Sequence, residues 1–217
     1  MPTISTPKTT KIAGDKTCGD WTMFRANLTL GCDPSFWETA ARDYFHARLN
    51  SRYLMPISAI LSEHKLKGEG FSIVAMQCSL IEFLESTVQG LTYAHRSGNS
   101  KKPLGDYEYS NSQKLFMNFL RKRNPFKEDF ATKRLASDFY VNVRCGLLHE
   151  AQTRNNWLIH AHGKRILDVA DPNRKIIYSS NFQDALLVFI HWYETELVKE
   201  TELQVAFIRK FNSLCSV

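Results

Sequence analysis

Arg144 and His149 are the residues in this sequence whose types and spacing best suit chemistry on a phosphate. They lie in the segment Phe139–Thr153, FYVNVRCGLLHEAQT. A histidine near its ordinary pKa can accept or donate a proton at neutral pH, and an arginine can hold a phosphate and stabilise charge on its oxygens. Because RNA carries its own nucleophile, the 2′-hydroxyl, such a pair could cleave RNA by transesterification without a metal ion.

The element that must position this pair is a helix predicted from about Glu128 to Gln152. Its apolar seam recurs at four-residue steps, at Leu135, Phe139, Val143 and Leu147. A polar stripe runs beside the seam, which predicts that this side lines a cleft or an interface; the stripe comprises Asp138, Asn142, Cys145, His149 and Gln152. On an ideal α-helix, residues five apart point about 140° away from each other. Arg144 and His149 are therefore not expected to form a compact site within one chain.

The rest of the sequence predicts an all-α fold, a bundle of four to five helices with a small β-ribbon insertion near 157–178. Residues 1–31 show no period and are predicted to be a loosely structured arm, so that 32–217 form a single domain. Further helices are expected at 34–53 with a restart at Pro56, at 71–93, from Ser112, and over 181–211. Strands are expected at 157–162, 164–169 and 175–178, with turns at Gly163 and at 171–173.

Composition limits the classes of protein to be considered. With 217 residues, of which 43% are hydrophobic, the chain can bury one sizeable core, and no apolar run approaches the length of a membrane span. Met1–Gly14 shows no secretory signal. Five cysteines without CxxC spacing predict reduced thiols in a cytoplasmic protein, and neither a zinc site nor another cofactor. A net charge of +6 favours a phosphate-bearing partner.

The segment Phe139–Thr153 resembles the signature of HEPN domains, in which an Arg and a His lie four to six residues apart near the end of a bundle helix. GEGFSIVAMQCSLIEFLESTVQGLTY, residues 68–93, is similar to the central helix of HEPN proteins from phage-defence and toxin systems. The resemblance covers most of residues 40–200. It implies a metal-independent endoribonuclease, a homodimer in which both Arg-His pairs face a shared cleft, and a possible antitoxin or regulatory partner.

The resemblance also implies roles for individual residues. His149 would be the general acid and base and Arg144 the phosphate clamp, supported by Asn142, Cys145, Glu82 and Asp138. Active members often have Asn directly after the Arg, whereas this chain has Cys145, a weak hydrogen-bond donor. Asn142 could substitute for that Asn. Gly146 could loosen the helix or admit a partner.

Several alternatives remain open at this point. Glu82, Glu85 and Asp138 could simply pair with core cations. RNA could be guided by basic residues that are equally explained as a solvated surface, namely Lys101, Lys102, Arg121, Lys122 and Arg123. His160 and His162 lack further metal ligands, and a Cys145 thiol nucleophile lacks an oxyanion site. The main rival is a non-catalytic HEPN-like dimerisation or RNA/nucleotide-binding module.

Overall fold

The computed structural model describes residues 6–63, 67–96 and 103–217. The chain is mainly helical, with 62% of its residues in helices, and it carries small β elements. It divides into two compact units, the first formed by Met1–Leu54, Ser86–Asn111 and Trp192–Val217, and the second by Met55–Glu85 and Ser112–His191. The sequence predicted an arm over 1–31 and a single domain over 32–217, and this remains a prediction.

Unit one is built from short strands and from helices with two wide turns of π-helix. Its elements in chain order are β1 Lys11–Ala13, β2 Lys16–Thr17, α1 Cys18–Arg25, α2 Pro34–Thr39, π1 Ala40–His46, α3 Ala47–Leu49 and π2 Asn50–Leu54. After them come the strands β3 Thr92–Tyr93 and β4 Glu108–Tyr109 and, near the end of the chain, the helix Thr201–Cys215. β1 and β2 pair antiparallel, whereas β3 and β4 pair parallel.

The N-terminal residues contribute to the core of unit one. Thr17 caps α1: its hydroxyl accepts from the Asp20 N–H at 3.2 Å, and its own N–H donates to the Asp20 carboxylate at 2.7 Å. The Trp21 ring is fully buried, and its centre lies 5.1 Å from that of Tyr44. Trp21 Nε1 donates to Asn212 at 3.0 Å. The prediction of a loose arm over 1–31 is thus wrong for residues 11–25, because a capping box and a buried Trp fix a helix there.

Unit two contains most of the longer helices. Its elements are α4 Met55–Glu63, α5 Glu69–Gln89, α6 Ser112–Lys122, α7 Phe126–Asp129, α8 Lys133–Phe139, π3 Tyr140–Cys145, α9 Gly146–Glu150, β5 Trp157–His160, β6 Leu167–Asp168, β7 Lys175–Tyr178 and α10 Ser179–Leu197. The last residues of α5 and α10 are counted with unit one. The core of unit two is aromatic: the ring of Phe139 lies within 6.2 Å of four other rings, those of Phe116, Phe130, Trp157 and Phe182.

The predicted strands near 157–178 form one small sheet in the order β5-β7-β6. Within this sheet, β5 pairs with β7 in parallel, whereas β6 pairs with β7 antiparallel. The sequence suggested that the turn at Gly163 joins two paired strands. In the structure β5 and β6 do not pair with each other, because each pairs with β7. The side-chain amide of Asn181 donates to the Gly163 carbonyl and accepts from the Gly163 N–H, which ties this loop to the beginning of α10.

Two predicted helices are divided in the structure. The helix expected over 128–152 is interrupted after Asp129, where Thr132 caps a new start. The final helix ends at Leu197, and α11, Thr201–Cys215, follows after a short break. The Gln204 side chain donates to the carbonyls of Leu197 and Val198, which satisfies the end of α10. α5 is apolar and long enough to span a membrane, but 61% of its apolar window is buried, which is compatible with a soluble protein.

Candidate functional site

The candidate site lies on one irregular helix of unit two. We define the site helix as α8, π3 and α9, residues 133–150. The Thr132 hydroxyl begins it by accepting from the Leu135 N–H at 3.1 Å, and Ala151, with a φ of 53°, ends it. The residues that fix it in the core of unit two are Ala136, Phe139, Val143, Gly146 and Leu147. π3 hydrogen-bonds residues five apart, a local widening that is frequent at functional sites.

Gly146 is required by the path of its own chain. A Cβ at this position would lie 2.5 Å from the Gln152 carbonyl oxygen, where the backbone returns after the helix. The Gln152 N–H donates to the Gly146 carbonyl at 3.4 Å. The structure thus explains this glycine by close packing within the chain. Neither a loosened helix nor contact with a partner is needed.

Arg144 is largely enclosed by its neighbours, with a side chain only 17% exposed. Its Nη2 lies 3.3 Å from Glu82 Oε2, and its guanidinium carbon lies 5.3 Å from the centre of the Tyr140 ring. Burial lowers the pKa of Arg144, but Tyr140, Glu82 and Cys145 together outweigh burial and raise that pKa above its ordinary value. Arg144 is therefore a permanent cation. Its Nε is buried and finds no acceptor within the described ranges.

Glu82 connects the site helix to α5 and α6. The Ser112 hydroxyl donates to Glu82 Oε1 at 2.7 Å, while Oε2 accepts from Arg144. Glu82 thus pairs with the arginine, a contact that fits both alternatives raised from the sequence, an orienting carboxylate and a simple partner of a core cation. Glu85, one helical turn further on, is instead a core ion-pair partner, because it is 1% exposed and accepts two hydrogen bonds from Arg123.

Asp138 is the most heavily hydrogen-bonded carboxylate of the site helix. Four side chains donate to it at 2.7–2.8 Å, namely Asn142, Asn155, Trp157 and Lys175. Burial alone would raise the pKa of Asp138, but the bonds from Lys175, Trp157 and Asn155 outweigh burial and hold that pKa below its ordinary value. Asp138 therefore ties the site helix to β5 and β7.

The hydrogen bond from Asn142 to Asp138 bears on whether Asn142 could substitute for the Asn that active HEPN members have in place of Cys145. The Asn142 amide nitrogen donates to Asp138 at 2.8 Å, so in this arrangement it is already used. Cys145 lies half-buried in π3 beside Tyr140, and their side-chain contact contributes to raising the Tyr140 pKa, of which burial is the largest cause.

His149 lies exposed in the last turn of α9. Because the side chain is exposed, its ring is accessible for proton transfer. No hydrogen bond joins His149 to Arg144 among the residues that the structure describes. The structure therefore places the pair on one helix but does not bring the two side chains together.

Two apolar side chains on the site helix face solvent. Val141 is 43% exposed and Leu148 is 48% exposed. With Cys145 between them, they are spaced as neighbours along one side of the helix. We name these three residues, two exposed and one half-buried, the exposed strip. Large exposed apolar residues that line up beside polar groups are typical of an interface.

The basic residues suggested for RNA binding have different surroundings. Arg121 and Lys122 are exposed at the end of α6. Arg123 is engaged by Glu85 and is not part of an exposed basic surface. Lys101 and Lys102 lie outside the described residues.

Two supporting residues, Ser112 and Lys175, escaped the sequence prediction because only tertiary contacts reveal them. A third, Tyr140, lies four residues before Arg144 and its ring faces the guanidinium. No group of three His, Cys, Asp or Glu side chains that could hold a metal ion occurs in the described part of the chain. Comparison with protein-family models, curated proteins and solved structures gave no match.

Proposed function

We propose that this chain is a metal-independent, HEPN-type endoribonuclease. The observation that carries the proposal is the fixed, charged guanidinium of Arg144, held by Glu82 at 3.3 Å on the helix that also exposes His149. A cation with a set position can hold a phosphate, and an accessible imidazole can move protons. These are the two functions that transesterification of RNA requires.

In the proposed reaction, His149 accepts the proton of the 2′-hydroxyl as the 2′-oxygen attacks the neighbouring phosphorus. The bond from phosphorus to the 5′-oxygen breaks, and a protonated histidine supplies the proton to that leaving oxygen. Arg144 stabilises the charge that builds on the phosphate oxygens. The products are a 2′,3′-cyclic phosphate and a free 5′-hydroxyl end.

The two side chains, which no hydrogen bond joins in the described part of the chain, would come from two copies and share one phosphate. The exposed strip, Val141, Cys145 and Leu148, would be buried when two site helices pack around a two-fold axis. In this proposal α5, α6, the site helix and α10 form the expected bundle of four to five helices. The protein would act in the cytoplasm as a toxin or phage-defence effector, with an antitoxin or regulator as a possible partner.

A non-catalytic module that dimerises and binds RNA or a nucleotide is the second candidate. It is favoured by the enclosure of Arg144 and by the use of the Asn142 amide in the bond to Asp138. Such a module would hold a phosphate without cleaving it. The two candidates differ in a single observable, the appearance of cleaved ends.

The test incubates end-labelled mixed RNA in EDTA with the wild type and with His149→Ala and Arg144→Ala. Exposed residues of the same types provide matched controls, His162→Ala and Arg174→Ala. We expect cyclic-phosphate ends from the wild type and both controls, and a loss of about 100-fold or more in both site variants. Intact RNA with every protein folded, accompanied by salt-dependent binding, would instead identify the binding module.

A further inference from the structure

The β-insertion, residues 157–178, carries a groove that the proposed chemistry does not use. Its volume is about 660 Å³, within the range of roughly 300–1,000 Å³ typical of small-molecule sites. We name it the insertion groove; Asp129, Gly163, Lys164, Arg165, Tyr178 and the stretch 167–170 line it. We propose that it binds one nucleotide of single-stranded RNA and so docks the substrate. This inference rests on the proposed ribonuclease function.

Hydrogen bonds hold the groove in its shape before any ligand arrives. The Gly163 N–H donates to Asn181 Oδ1 at 2.9 Å, and Asn181 Nδ2 donates to the Gly163 carbonyl at 3.0 Å. On the opposite side, the Tyr178 N–H donates to the Ile166 carbonyl at 3.1 Å. Because these hydrogen bonds already hold Gly163 and Tyr178 in place, the groove loses little conformational entropy on binding, which favours affinity for a small ligand.

The groove offers an apolar surface of the size of a base. Leu167, Val169 and the Tyr178 ring line it, and Val169 is 37% exposed. A Cβ at position 163 would lie 2.5 Å from the Tyr178 ring, so only glycine allows the backbone to pack directly against that ring. Aromatic and apolar side chains are the surfaces on which proteins stack unpaired bases of single-stranded RNA.

Charges of both signs lie at the rim, and a nucleotide can use both. Lys164 is exposed, and the Arg165 side chain is 66% exposed while its Nη2 is held 2.9 Å from Asp129. These cations suit a phosphate. The carboxylates of Asp129 and Asp168 can accept from the amino groups of a base. An acidic peptide brings no base amino groups that these carboxylates could bind, so the mixture of charges favours a nucleotide.

The experiment measures binding of a fluorescein-labelled single-stranded oligoribonucleotide by anisotropy, in EDTA, with the full chain carrying His149→Ala so that the RNA stays intact. We expect the double variant Lys164→Ala/Arg165→Ala to weaken binding about tenfold and to reduce the salt slope by about 1. Gly163→Ala is expected to weaken binding about fivefold, with its fold checked by circular dichroism. The matched charge control Lys133→Ala/Arg174→Ala, outside the groove, is expected to change Kd by less than twofold.

Three outcomes would overturn the inference. Equal weakening by the groove and control doubles would mean that only net charge matters. Displacement of the oligonucleotide by polyglutamate would identify an acidic partner, and displacement by equimolar mononucleotides would identify a free nucleotide in place of an RNA strand. The result is separable from the proposed function, because groove-dependent binding can be found with or without cleavage by the wild type. Cleavage by the wild type with groove-independent binding would leave the ribonuclease proposal intact and refute the docking site.

Discussion

Replacing Asp138 by alanine is expected to loosen the site helix without touching Arg144 or His149. The variant removes the acceptor of four hydrogen bonds at 2.7–2.8 Å. Its most costly consequence concerns Lys175, which is 9% exposed and donates to Asp138 at 2.7 Å. An ammonium that has lost its buried counter-charge must be partly rehydrated or must release its proton.

The magnitude follows from what the substitution leaves unpaired. Breaking a buried ion pair costs roughly 3–5 kcal/mol, and each buried neutral donor that loses its acceptor adds about 1–3 kcal/mol. The Asp138 side chain is 22% exposed, so water can reach part of this cluster and the total must be reduced. We therefore expect Asp138→Ala to lower the free energy of unfolding by about 3 kcal/mol. Asp138→Asn, which keeps one acceptor oxygen, should lose about half as much.

Urea denaturation at pH 7 measures the effect, with the exposed Asp184→Ala as the matched control, expected within about 0.5 kcal/mol of the wild type. The pKa of Asp138 is lowered on folding, so its carboxylate stabilises the protein above the unfolded pKa and loses that effect as pH falls through the folded pKa. The gap between wild type and Asp138→Asn should thus be constant above about pH 5 and should shrink below about pH 4. A loss below about 0.5 kcal/mol for Asp138→Ala would refute the argument that Asp138 anchors the helix.

Two further substitutions or titrations test other parts of the structure. Gly146→Ala should lower the unfolding free energy in urea by about 1–2 kcal/mol, because the clash with the Gln152 carbonyl at 2.5 Å exceeds the gain in helix propensity; a more stable variant would contradict this packing. Burial, followed by Asp20 and Asp43, raises the pKa of Tyr44 to about 12. Since the unfolded pKa is about 10, stability should fall as pH rises from about 10 to about 12. Absorbance at 295 nm compared with Tyr44→Phe tests this, and a Tyr44 that titrates near pH 10 would contradict it.

The sequence predicted well what depends on local periodicity. The three- and four-residue spacing of apolar side chains located α5, and Ser112 was correctly taken as the beginning of α6. The β-character of 157–178 was also predicted, because its period changes there. These features need only neighbouring residues in the sequence, so a single chain is enough to find them.

Features that depend on distant partners could not be predicted in this way. Trp21 belongs to a segment without a period, yet its ring is buried against Tyr44 and its Nε1 bonds to Asn212. Nothing in residues 1–31 alone indicates those contacts. The parallel pairing of β5 with β7 likewise joins residues far apart in the sequence, such as Trp157 and Lys175. The role of Asp138 was ambiguous in the sequence because its four donors are spread over 142–175.

The effects of Arg144 and His149 on stability help to separate a structural role from a chemical one for each residue. Arg144 has a buried Nε without an acceptor in the described ranges, and an unsatisfied buried donor costs about 1–3 kcal/mol. The same guanidinium pairs with Glu82, so the arginine has a structural role as an ion-pair partner whether or not it also holds a phosphate. His149 is exposed, and its removal should change stability by no more than about 0.5 kcal/mol. A stability that is unchanged in His149→Ala, together with lost cleavage, would therefore assign the histidine to chemistry, whereas a variant that still cleaves RNA would leave Arg144 as the only functional member of the pair.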